Sequence, residues 1–227
     1  MSPESSHKPV RSGAGNDQII SYYSLRILIG ATGILLPLLV VAGKWIAEGS
    51  PVLEFSISDY YDNGTAGDIL VGVLFVLGFF LLSYKGPDKI DNRAADIGCV
   101  AALGVALFPT THCFGCWVYY LHFACALTLF SVFIFFSLVL FRKTDPRKPM
   151  TNEKKERNTI YLVCGIVMAV CIVLIAVSLI FLDPALNKKF SLVFWFESLA
   201  LVSFGFSWIT KSETLFLRDR ESPPPTW

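Results

Sequence analysis

Residues 159–182 read TIYLVCGIVMAVCIVLIAVSLIFL, twenty-four positions without a charged side chain. At about 1.5 Å per residue such a helix spans roughly 36 Å, more than the ~30 Å hydrocarbon core of a bilayer. Backbone groups inside a bilayer have no water to bond, so the run is a transmembrane helix. Immediately before it, Arg142, Lys143, Arg147, Lys148, Lys154, Lys155 and Arg157 crowd into one segment. Basic residues mark cytoplasmic loops, which fixes where this span begins, and the segment is suited to lie against anionic headgroups.

Working outward, five further stretches have the same character: Ser24–Ile46, Asp68–Tyr84, Ala94–Thr110, Trp117–Phe141 and Ser191–Thr210. Over the 227 residues, 54% are hydrophobic and 16% charged, well short of the roughly 25% charged expected of a soluble domain. A count of four or five spans would leave one apolar stretch unplaced. Six spans put sixteen of the nineteen Lys and Arg residues on one side, with Lys44, Lys188 and Lys189 on the other. The expected fold is an all-α polytopic transmembrane bundle of six spans with both termini cytoplasmic, in a cell membrane, most simply a bacterial inner membrane. One domain runs over 21–211, between cytoplasmic tails at 1–20 and 212–227 whose composition predicts disorder. The first span follows about twenty polar residues and has no cleavage site, so it is not expected to be a removable signal. Net charge is +1, and basic residues track the span boundaries. Membrane lipids are therefore the expected partners, and nucleic acid is not.

The third span repeats small residues every fourth position at Ala94, Gly98, Ala102 and Ala106, a ridge that lets backbones approach closely and predicts a central helix. The fourth carries Phe123, Phe130, Phe133, Phe135, Phe136 and Phe141 around its circumference and is expected to face lipid. Pro37 should kink the first span, and Pro109 should end the third. Asp96, one turn into the third span, is placed to pair with Arg93 or to favour that helix N-terminus. Aromatic belts are expected at Tyr22, Tyr23, Tyr84, Tyr161 and Trp208 inside, and at Trp45, Trp117, Tyr119, Tyr120 and Trp195 outside.

Chemistry concentrates at the outer ends. Residues 110–123, TTHCFGCWVYYLHF, hold His112, His122, Cys113 and Cys116. His122 and Glu197 fall below the membrane boundary, where an ionisable group is costly and turns toward a partner in the bundle. Three readings stay open for His112, His122, Ser58, Asp59, Asp68 and Glu197. They line a polar pocket for a lipid or small ligand, they form a hydrogen-bonded network closing the bundle, or they build a hydrolase centre. In the last case His122 works with Asp59, Asp68 or Glu197, and zinc is a suitable ion for imidazole and carboxylate, with His112 and His122 as ligands. Cys113 and Cys116 have C-x-x-C spacing, which serves as a structural disulfide in an oxidising compartment, as a redox pair, or as metal ligands. No second cysteine pair is available in an outer loop to relay electrons.

The order of "FSISDYYDNGTAGDILVGVLFVLGFFLLSYKG", "AADIGCVAALGVALFPT" and then His122 resembles bacterial six-span membrane proteins of the domain-of-unknown-function 998 type. More remotely it is similar to the DRAM/Sfk/Frag group. The resemblance covers about residues 24–210 and marks Ser58, Asp59, Phe108, Pro109 and His122 as family-like positions. It implies the six-span fold and no established reaction. The Cys-Phe-Gly-Cys element is not part of the pattern.

Overall fold

A computed structural model describes residues 22–49, 52–110, 116–144 and 150–213. The described residues contain helices and turns and no strand. In chain order these are α1 (Tyr22–Glu48), a 3₁₀ turn (Ser58–Asp62), α2 (Gly64–Ser83), α3 (Lys89–Leu107), α4 (Trp117–Phe135) continuing through a π turn (Phe136–Leu140), α5 (Asn152–Phe181), the short α6 (Pro184–Phe190) and α7 (Leu192–Lys211). Five of them, α1, α2, α4 with its π turn, α5 and α7, are long and apolar enough to cross a membrane. The chain thus has the make-up of a multi-pass membrane protein. Helix α3 is as long as α2 to within one residue but carries Lys89, Asp91, Arg93 and Asp96 in its first half.

The six long helices close a ring. Each packs on its chain neighbour from α1 to α5, α5 packs on α7, and α7 returns to α1. Gly30 and Gly205 make the last contact tight, since a Cβ on either would run into the carbonyl of the other. Inside the ring, Phe133 of α4 stacks on Phe204 of α7 at 3.7 Å. Ser137 and Ser207 share a buried hydrogen bond at 2.8 Å.

Two packing expectations change. The small ridge of α3 does turn inward, with Ala94, Gly98, Ala102 and Ala106 all buried. Yet α3 is one member of the ring, filling the place between α2 and α4. The phenylalanines of α4 divide: Phe133, Phe136 and Phe141 are buried, whereas Phe123 and Phe135 stay exposed. Helix α1 runs unbroken through Pro37. Helix α3 ends at Leu107, and Phe108 takes the extended conformation that a following proline demands.

The two ends of the ring are built differently. At one end Tyr84, Phe136, Phe141, Tyr161 and Trp208 form a buried aromatic cluster, so three residues expected in an interfacial belt are core. Around it lie the cations. Arg26 donates to the Lys211 carbonyl at 2.9 Å and Lys154 to the Phe141 carbonyl at 3.1 Å. Lys143 bridges Asp88 and Asp91 at 2.8 Å each. Those two carboxylates hold the Lys143 ammonium above its ordinary range. At the opposite end Trp45, Trp117, Tyr120 and Trp195 are exposed, as a belt requires. There the loop between α1 and α2 folds over the ring.

Candidate functional site

The first turn of a helix leaves backbone N–H groups without partners, and the loop supplies one. The Phe194 N–H, in the first turn of α7, donates to the Phe55 carbonyl at 3.0 Å. Two residues on, the Ile57 N–H donates to Glu197 Oε2 at 2.6 Å. The loop is therefore stitched to α7 by a carbonyl and an amide two residues apart, and Glu197 finds its partner in backbone. Within the loop, Asp59 Oδ2 accepts from the Ser56 N–H and Ser56 Oγ from the Asp59 N–H, both at 3.1 Å. These paired bonds hold the 3₁₀ turn in shape. Gly67 of α2 lets that turn sit flush, because a Cβ there would strike the Tyr61 carbonyl.

The loop is held on α1 as well. Glu54 forms an ion pair with Lys44, and the Asn63 side-chain amide donates to the same Glu54 oxygen at 2.7 Å. Burial pushes the Glu54 carboxyl up, but Lys44 and Asn63 outweigh it and the net lies below the ordinary value. Asp59 goes the other way. Burial is the largest influence and raises its carboxyl, and the hydrogen bonds from Ser56 only offset part of this. Tyr60 is fully buried beside Phe194, with their rings 6.0 Å apart.

The remaining attachment brings together groups that can do chemistry. His122, buried one turn below the start of α4, has Nε2 at 3.0 Å from Ser58 Oγ. Its Nδ1 lies 2.6 Å from the Phe108 carbonyl oxygen. A carbonyl can only accept, so Nδ1 carries the hydrogen. In the neutral ring Nε2 is then a lone pair, and the Ser58 hydroxyl donates to it. Ser58 and Asp59 are half-buried, so the hydroxyl lies where the loop meets its surroundings. Adjacent residues Ile57 and Ser58 thus bind α7 and α4 respectively, and the loop straddles the ring.

Of the residues expected at the site, Ser58, Asp59, His122 and Glu197 gather around this loop. Asp68 sits exposed on the first turns of α2, and no hydrogen bond among the described residues joins it to His122 or Glu197. His112 and Cys113 lie outside the described residues. Cys116 is the residue capping the start of α4. Among the described residues no three His, Cys, Asp or Glu side chains are placed to hold a metal ion such as zinc. Two participants escaped the sequence reading: Lys44, whose ion pair anchors the loop, and the Phe108 carbonyl, which sets the histidine tautomer. The second carried a faint signal, because Pro109 forces Phe108 out of helix and turns its carbonyl away from the α3 ladder. No known protein family, curated protein or solved structure matches the chain.

Proposed function

We propose that the chain is a six-span protein of a cell membrane, basic end and termini in the cytoplasm, acting at its other face as a serine-dependent hydrolase of acyl esters. The observation that carries the reaction is Ser58 Oγ at 3.0 Å from His122 Nε2, with Nδ1 tied to the Phe108 carbonyl. That is the relation of a nucleophile to a general base whose ring is held by a third group. In the reaction Nε2 takes the hydroxyl proton as Ser58 Oγ bonds to the ester carbonyl carbon. The alcohol then leaves with that proton, and water, activated by the same nitrogen, releases the acid and restores Ser58. Glu197 and Phe108 are positioning residues, the first fixing the backbone beside Ser58 and the second the imidazole. The level of the site supports an ester at the membrane boundary, because Trp117 and Tyr120 of the exposed belt lie within five residues of His122. Helix α3 is the sixth span in this reading: its small ridge is buried between α2 and α4, and its charges lie toward the basic end, where Asp91 is bonded to Lys143. The resemblance to the domain-of-unknown-function 998 type fits the same six spans and the same Ser58 and His122.

A second reading has its own observation. The same bonds, with the Lys44–Glu54 pair, fasten the loop across the bundle, and a polar recognition surface for a lipid or small ligand needs only that. A fluorophosphonate probe on the membrane-inserted protein separates the two. The hydrolase reading expects an adduct on Ser58 by peptide mass spectrometry, lost in His122→Ala and His122→Gln while the protein stays folded. A folded wild type that forms no Ser58 adduct, or one that reacts equally well without His122, overturns it.

A further inference from the structure

Lys211 stands apart from the other cations of the basic end. Arg26 and Lys154 donate to carbonyls, and Lys143 to two carboxylates. The Lys211 Nζ instead stands 5.6 Å over the Phe141 ring, and no hydrogen bond or ion pair among the described residues engages it. Its neighbours add to the charge. Lys154, Arg157 and Tyr161 are three and four residues apart on α5 and so share one face of that helix. Helix α5 packs on α7, whose last residue is Lys211. The charges of Lys154, Arg26 and Arg157 all bear on the Lys211 ammonium, and the nearby carboxylate, Glu213, lies 3.8 Å from Arg157. Arg157, Glu213 and Arg26 bear on the Tyr161 hydroxyl as well, which puts hydroxyl and ammonium in one surrounding. That hydroxyl is fully buried and has no hydrogen-bond partner among the described residues. An ammonium set among like charges and over aromatic rings is costly without a counter-ion, and so is a buried hydroxyl left unbonded.

We propose that Lys211 and Tyr161 bind a phosphate group at the basic end, between α5 and α7. Both are donors, the first through three N–H bonds and the second through its hydroxyl, and a phosphate offers several acceptor oxygens at once. Arg26, Lys154 and Arg157 keep the bonds they make and attract the anion through their charge. Lys211 is half-buried, so the group opens to the surface there, while Phe141 and Trp208 floor it with buried rings. A carboxylate would meet the same donors with less charge and fewer oxygens. Two sources present a phosphate at this level of a cytoplasmic membrane boundary: the headgroup of an anionic phospholipid and a phosphate compound in solution. The site is at the opposite end of the ring from Ser58 and does not depend on the hydrolase reading.

The test follows thermal unfolding of the full chain in phosphate-free maltoside detergent as ligand is added at constant ionic strength. One arm titrates inorganic phosphate and the other phosphatidylglycerol in mixed micelles, with phosphatidylcholine as the lipid of no net charge. Saturable stabilisation by phosphatidylglycerol alone assigns the site to a headgroup, and saturable stabilisation by inorganic phosphate assigns it to a soluble compound. For whichever binds, Lys211→Gln should weaken affinity about tenfold or more, and Tyr161→Phe about threefold. Lys155→Gln removes an exposed cation from the same end and should leave affinity unchanged. Tyr161→Phe keeps its ring against Phe141, so it still decides the matter if Lys211→Gln fails to fold. Stabilisation by neither anion, or by phosphatidylcholine as strongly as by phosphatidylglycerol, overturns the proposal. So does Tyr161→Phe binding like wild type, or Lys155→Gln costing as much as Lys211→Gln.

Discussion

The two ends of the ring solve the same problem in opposite ways. At the basic end the cap is apolar: five aromatic rings, three of them from Tyr84, Tyr161 and Trp208, are buried and interlocked. The charges around them bond to backbone carbonyls and to short acidic bridges. At the loop end the cap is polar. One segment of chain is held by an ion pair to α1, one hydrogen bond to α4 and two to α7, and Trp45, Trp117, Tyr120 and Trp195 are exposed around it. Aromatic packing is spread over many contacts and yields one rigid arrangement. A loop held by a few specific bonds can release one helix at a time. The Ser58–His122 pair of the proposed hydrolase lies at this loop end.

The largest contrast should come from tryptophan. Trp208→Ala removes the centre of the aromatic cluster and should destabilise the fold by about 3–5 kcal/mol, while Trp195→Ala, 56% exposed, should stay within about 0.5 kcal/mol. Unfolding in mild detergent measures both, and equal losses would erase the distinction between the ends. Next, Glu54→Gln should cost about 1–3 kcal/mol locally by leaving Lys44 without its anion. Hydrogen exchange at residues 56–59 should rise while the amides around Trp208 hold, and exchange rising at both ends together would show the loop is not an independent unit.

The pH dependence has opposite signs at the two ends. Glu54 sits below its ordinary value when folded, so its contribution is present above the ordinary glutamate range and disappears as pH falls through its lowered value. Lys143 sits above its ordinary value, so its bridge is intact below the ordinary lysine range and is lost as pH climbs through the raised value. Acid should loosen the loop end first and strong alkali the basic end first, read by exchange at residues 56–59 and 89–92. Asp59, raised by burial, works against Glu54: its contribution is present below the ordinary aspartate range and lost as pH rises through its raised value. Asp59→Asn should therefore stabilise the loop near neutral pH. The smallest effect should come from Ser137→Ala with Ser207→Ala beside the aromatic cluster, where a double-mutant cycle should give about 0.6 kcal/mol of coupling. A value well above that would make this polar bond, and not aromatic packing alone, a fastening of the basic end.

How much of this was legible beforehand follows from the range of each interaction. Apolar length is a property of consecutive residues, so the runs containing α1, α2, α4, α5 and α7 could be read directly, along with the exposed belt at Trp45, Trp117, Tyr120 and Trp195. The need of His122 and Glu197 for partners was also legible, because solvent cost depends only on depth. Which partners they took was not. Ser58 is 64 residues from His122, and Ile57 is 140 from Glu197. Nothing periodic connects them, and a backbone amide as the partner of Glu197 leaves no side-chain signature at all. The burial of Tyr84, Tyr161 and Trp208 was missed for a related reason, since an aromatic residue near a span end looks the same whether it faces the boundary or the ring.

The π turn at Phe136–Leu140 sets the rotational register of the end of α4. In a regular α-helix, residues five apart point about 140° away from one another, yet Phe136 and Phe141 both reach the core, joined by a bond from the Phe141 N–H to the Phe136 carbonyl at 2.9 Å. The extra residue works as a phase shifter. It resets the rotation of everything downstream, so that Lys143 arrives opposite Asp88 and Asp91. Deleting one residue from this turn would keep the composition of α4 and advance its tail by about a quarter turn. The Lys143 bridge would then be out of step with α3, and the basic end would lose its fastening to that helix.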